Sequence, residues 1–223
     1  MEKMKSGSFL FVVMLLILSA CQSRQETADS ASSEEEAGTE QTDDLTAKAM
    51  ARGQMISNAS QQALASNLKN AIQTEGIPAA FRFCNVQAMP LTDSLSSTYD
   101  AQIKRATLWV RNPKDEADEV EREILEAYHQ QMQQGQTPEA RVVDLDENYL
   151  LYAQPILINN GLCLTCHGEV GAQVQQETYQ LIKERYPEDQ ATGHQMGDLR
   201  GIWSIRLSKE ALRKEEIIGM INR

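Results

Sequence analysis

Between Leu45 and Thr74 apolar residues recur near helical spacing, at Ile56, Ala59, Ala63, Leu68 and Ile72, and Gly76 follows as a stop. The pattern predicts a long first helix. Pro78 suits the first turn of a second helix, where its missing N–H costs nothing, and Ala80, Cys84, Ala88, Leu91 and Leu95 then share one face. Cys84 is therefore expected to point inward. Pro90 lies inside that pattern and predicts a break or kink, because its ring would clash with the carbonyl of Val86.

Farther on, the pattern changes period. Ala101 to Val110 reads as a strand, Arg111-Asn112-Pro113 as a turn, and Glu116 to Gln134 as an amphipathic helix capped by Asp115 and stopped by Gly135. Arg141–Asp144 and Tyr149–Ile158 read as paired strands around Asp146, Glu147 and Asn148, with Pro155 marking an edge or a bulge. A short helix over Gln175–Arg185 precedes a loop containing Pro187, Gly193 and Gly197. Then Leu199, Gly201, Trp203, Ile205 and Leu207 alternate as a strand before a C-terminal helix from Ser208. Helices around a few antiparallel strands give an α+β domain.

The first 44 residues follow another logic. Residues 1–20 have a cationic start at Lys3 and Lys5, an apolar run from Phe9 to Leu18, and Leu18-Ser19-Ala20-Cys21 at the end. This is the form of a bacterial lipoprotein leader, with Cys21 as the expected lipid attachment site and the bilayer as a partner through that anchor. Residues 21–44 carry eight acids against Arg24 and scarcely an apolar side chain, so they read as a flexible acidic tether. Of the formal charge of −11, the tether accounts for −7, which leaves residues 45–223 mildly acidic. Without a basic run, nucleic acid is excluded as the main partner. The expected location is exported and membrane-anchored, on the periplasmic or cell-surface side.

The chemistry concentrates in Cys163-Leu164-Thr165-Cys166-His167. Two thiols one helical turn apart match the two vinyl groups of haem, and the next residue offers imidazole to iron, so one covalent haem c is expected. At this composition the pattern has a chance expectation of about one in a thousand. Rival readings are a disulfide oxidoreductase and a zinc site completed by Cys84. The sixth iron position is open to Cys84, Met196, His194, Met89, His129 or water on the residues alone. Cysteine counting favours Cys84, the thiol that neither lipid nor haem consumes. Arg105, Arg111 and Arg200 are candidates to pair with haem propionates.

The segments Ala80–Pro90, Arg105-Ala106-Thr107 to Pro113, Tyr152–Gly168, and Tyr186-Pro187 through Ser204 together resemble a bacterial family of exported single-haem c domains. The resemblance covers roughly residues 50–207. Ala106-Thr107 and Met89 depart from its usual Thr-Ser and Ala. The resemblance implies a PAS-like fold over residues 45–223, with an antiparallel sheet flanked by helices, and His167 and Cys84 as the metal ligands. It also implies a redox or small-ligand sensor, or a low-potential electron relay, acting with a separate partner protein. The alternative is a haem enzyme such as a peroxidase or nitrogen-oxide reductase, with His194 or His129 as acid/base group.

Overall fold

The computed structural model describes the backbone over residues 29–214, save Gln87, and the side chains over 44–83 and 89–214. The leader, Cys21 and nearly all of the expected tether lie outside the described side chains, and so does Cys84. Helix α1 is Asp29–Glu75, followed by α2 (Ile77–Val86) and α3 (Ala88–Tyr99). The expected break thus falls ahead of Pro90, which sits in the first turn of α3, where its missing N–H has no helical partner to lose.

Strands β1 (Gln102–Ala106), β2 (Arg141–Asp144), β3 (Tyr149–Leu157) and β4 (Leu199–Ser208) form an antiparallel sheet in the order β1-β4-β3-β2. Helices cover both faces, so the domain is the α+β arrangement expected. On one face, Ile56 of α1 packs with Leu150, Tyr152, Trp203, Ile205 and Leu207. On the other, Ile124, Leu125 and Tyr128 of α4 (Glu119–Gln133) pack with Leu151, Ala153 and Ile202. Alternate residues of the central strands are thus buried on opposite sides, which is why both strands carry apolar side chains on each face. Helix α1 comes so close to the sheet at Gly53 that a Cβ there would lie 2.1 Å from the Tyr152 ring. Only glycine permits that crossing.

Three local expectations are corrected. Strand β1 ends at Ala106 instead of running to Val110, because Thr107 turns the chain. Its hydroxyl accepts from the Trp109 N–H, and its N–H donates to the Asp115 carbonyl. Asp118, not Asp115, caps α4, through a reciprocal box in which Glu121 answers the Asp118 N–H. The 3-10 turn Pro113–Asp115 intervenes. Last, Leu199 does not share a face with Trp203 and Ile205. Ile156 pairs with Gly201 and Leu157 with Leu199, so Arg200 is the extra residue of a β-bulge and Leu199 joins the α4 side. The bulge follows Pro155, as that proline suggested, in the part of β3 that extends beyond its pairing with β2.

The Cys-x-x-Cys-His residues form α5 (Gly161–His167), and α6 is Gln176–Arg185. The Asn160 side chain caps α5 by accepting from the Leu162 N–H. A helix over 209–214 follows β4.

Candidate functional site

A cavity of about 340 Å³ lies between α1, α2, α5 and the ends of β1, β3 and β4. That falls within the range of roughly 300–1,000 Å³ of small-molecule and cofactor pockets. Leu64, Leu68 and Ile72 line it from α1, Phe81 and Phe83 from α2, and Ile156 and Ile158 from the sheet. Cys163, Cys166, His167, Arg105, Arg111 and Arg200 all line this one space. Residues nearly a hundred positions apart are thus gathered by the fold. The side chain of Cys84 is outside the described residues, but its helix supplies Phe81 and Phe83 to the wall. Among the described alternatives for a sixth ligand, Met196, His194, Met89 and His129 do not line the cavity, and Met196 is 55% exposed.

His167 ends α5, and the loop after α6 is hydrogen-bonded along it. The His194 N–H donates to the His167 carbonyl at 2.8 Å and the Gly193 N–H to the Gly168 carbonyl at 2.8 Å. The imidazole Nδ1 lies 2.8 Å from the Ala191 carbonyl, which requires the proton on Nδ1. Arg200 Nε is 3.3 Å from the same nitrogen. Both are donors in that tautomer, and the shorter contact with the carbonyl decides it. Nε2 is left with its lone pair, the form a metal-ligating histidine takes. Burial, then the cations Arg200 and Arg111, hold His167 well below the usual 6.5, so the ring is neutral at physiological pH.

Arg111 stitches the segment after β1 to this loop. Its Nε donates to Asp189 Oδ1 at 2.6 Å and its terminal nitrogen to the Cys166 carbonyl at 2.7 Å. Asp189 is fully buried and Arg111 nearly so. Arg105 lies 3.5 Å from Asp115. Arg200, re-aimed by the bulge, donates to the Thr107 hydroxyl at 2.7 Å, and among the described residues no carboxylate lies within ion-pair distance of it. Burial and the neighbouring Arg111 and Arg105 pull Arg200 down to about 10, which still leaves it charged at neutral pH. The cavity thus pairs greasy walls with an excess of buried positive charge.

Cys163 and Cys166 are not joined in a disulfide. Burial pushes both thiols up from their ordinary value, outweighing the opposing hydrogen bonds at Asn160 and Thr165. A reactive redox thiol needs the opposite shift.

Sequence reasoning missed Ala191, Asp189 and Thr107, which fix His167, Arg111 and Arg200. A backbone carbonyl carries no residue signature, and nothing in the spacing of Asp189 or Thr107 marks either as a partner.

Residues 25–208 match the Tll0287-like family model. The chain belongs to the Tll0287-like family. Among solved structures, it matches the crystal structure of the cyanobacterial haem protein Tll0287 at a TM-score of 0.55 and 18% identity. That match covers 71% of this chain and 94% of the other. At this identity the likeness concerns the fold. No curated protein matches the chain. This Tll0287-like chain therefore carries its Cys-x-x-Cys-His helix against a cavity within the family's fold.

Proposed function

We propose that this protein binds one haem c in the cavity, attached through Cys163 and Cys166 with His167 as an iron ligand, and serves as a redox sensor or low-potential relay for a separate partner. The observation that carries the reading is the imidazole of His167: neutral, pinned through Nδ1, and set in the cavity wall beside two un-ionised thiols. The structural relative Tll0287 is itself a haem protein, which supports the reading.

The residues present fit such a group. A porphyrin is a flat apolar plate with two carboxylates on one edge, and the cavity offers aliphatic and aromatic walls with three arginines. Arg200 is the best placed to receive a propionate, since Arg111 and Arg105 already face Asp189 and Asp115. Bound there, haem supplies a one-electron iron couple. The protein's own contributions are to hold the imidazole in one tautomer, to exclude water with Leu64, Leu68 and Phe83, and to set the local charge.

The rival readings lose ground. Both thiols are shifted away from the thiolate that a disulfide oxidoreductase uses. Cys163, Cys166 and His167 do not by themselves gather as a metal cluster, and the Cys84 side chain that the zinc set would need lies outside the described residues. The enzyme reading relied on His194 or His129 as acid/base group, and neither lines the cavity. For the sixth ligand we favour Cys84, whose helix lines the cavity; a thiolate donates electron density to iron and lowers its potential.

Anchoring through Cys21 on the outer side of a membrane completes the proposal, and it rests on the leader. Among the described residues no helix is long and apolar enough to cross a membrane.

The test is to make the protein with the haem-attachment machinery and compare optical and electron-paramagnetic-resonance spectra of wild type and Cys84→Ser. A low-spin thiolate signature, lost in the variant, is expected. A high-spin spectrum with rapid peroxide consumption would instead establish the enzyme reading.

A further inference from the structure

Outside the cavity, three ring contacts lead without interruption from His167 to the surface. The His167 and His194 rings meet edge-on with centroids 6.3 Å apart, His194 and Trp109 at 5.3 Å, and Trp109 and His129 at 5.8 Å. All three fall within the roughly 4.5–7 Å of directly contacting aromatic pairs. Burial falls along the line: His194 is buried, Trp109 half-buried and His129 exposed on α4. The hydrogen bond from the His194 N–H to the His167 carbonyl reinforces the first step. Trp109 is held by its own N–H on the Thr107 hydroxyl.

His194 is the anomaly that asks for a purpose. Its Nε2 is buried with no hydrogen-bond partner. Burying such a group unpaired carries a desolvation cost that a leucine or phenylalanine in the same place would avoid. What this ring makes instead is edge-on contact with both the His167 and the Trp109 rings, while the His194 backbone N–H donates to the His167 carbonyl.

Resting on the haem reading above, we infer that His167, His194, Trp109 and His129 form the path by which single electrons pass between the haem site and the α4 surface around His129. Tunnelling falls off steeply with each gap between atoms, so a run of touching rings is a favoured route through a matrix of aliphatic side chains. Each outward transfer oxidises ferrous iron to ferric and reduces a one-electron acceptor at the surface, with no bond made or broken.

The chain has three histidines, of which His194 is buried and His167 lines the cavity, so a ruthenium–polypyridyl complex attaches at His129 in the holoprotein. A flash in the presence of a quencher makes the label Ru(III), which takes one electron from ferrous haem, and the haem spectrum reports the rate. Trp109→Leu is expected to slow this transfer by about tenfold or more, and Trp109→Phe to retain most of it, with the static haem spectrum unchanged. As a readout that does not depend on electron flow, nuclear Overhauser contacts should join the His194 ring to the Trp109 indole. A rate in Trp109→Leu equal to that of wild type, or the absence of those contacts, would overturn the route. A preparation without haem would contradict the haem reading and the route with it, whereas a haem-loaded protein with an unmoved rate would contradict the route alone.

Discussion

On one side of the cavity, where α5 meets the loop after α6, four carbonyl contacts are specified atom by atom. The Cys166 carbonyl accepts from Arg111, the His167 carbonyl from His194, the Gly168 carbonyl from Gly193, and the Ala191 carbonyl from the His167 ring. On the other side, Leu64, Leu68, Ile72, Phe81 and Phe83 shape the wall by apolar contact, and Trp203 Nε1 of the central strand β4 donates to Gln61 of α1 at 3.2 Å. The first wall fixes where atoms sit and which tautomer they adopt. The second fixes only how much room there is. Directional bonds fail sharply when one partner is removed, while apolar contact degrades in proportion to the area lost.

That contrast is broken most forcefully at Arg111. Arg111→Met leaves the fully buried Asp189 without its cationic partner, frees the Cys166 carbonyl and takes one of two donors from the Ala191 carbonyl, which keeps the His167 ring. The expected loss is about 3–5 kcal/mol of stability in denaturant unfolding, with disordered ligation at His167. A loss below about 1 kcal/mol, no more than an exposed ion pair contributes, would mean that this wall is not the rigid one. Leu68→Ala, on the opposite wall, should cost about 1 kcal/mol, less than the roughly 2–5 kcal/mol of a fully buried leucine, because its side chain is not sealed from solvent. Its haem spectrum should stay that of wild type.

The smallest effect is a slope. Burial raises Asp115 above its ordinary 3.8 despite the opposing cations Arg105, Arg200 and Lys104. As pH rises from 3.8 towards the raised value, the native state keeps a proton that the unfolded chain has lost, so stability falls across that window and then levels. Asp115→Asn should remove that part of the slope in a pH series of unfolding curves. An identical slope in the variant would show that Asp115 ionises as an exposed carboxyl does.

The two walls also differ in how far the chain announces them. The Cys163-x-x-Cys166-His167 helix was legible because two of the chain's four cysteines and one of its three histidines fall within five residues at fixed spacing. So were α1, α4 and the paired strands, where burial on one or both faces imposes a period. Arg105, Arg111 and Arg200 could be named as candidates, but not their division of labour. That division depends on Thr107 ending β1 and on the bulge that re-aims Arg200, and a bulge inserts one residue without changing composition. Leu199 was misplaced for the same reason: strict alternation assumes an unbroken register. Asp118 displaced Asp115 as the cap of α4 because the 3-10 turn at Pro113 takes up the intervening residues, and only the reciprocal contact with Glu121 distinguishes the two acids. The Ala191 carbonyl, which sets the tautomer of His167, had no signature to find.

The central claim is covalent haem on α5, and the most direct measurement is the intact mass of the purified holoprotein after acid–acetone extraction, compared with the double variant Cys163→Ala/Cys166→Ala. Wild type is predicted to keep one haem per chain through extraction, while the variant gives up its colour and shows the mass of the polypeptide alone. A wild-type protein that releases its haem completely, or that never carries one, would contradict the claim.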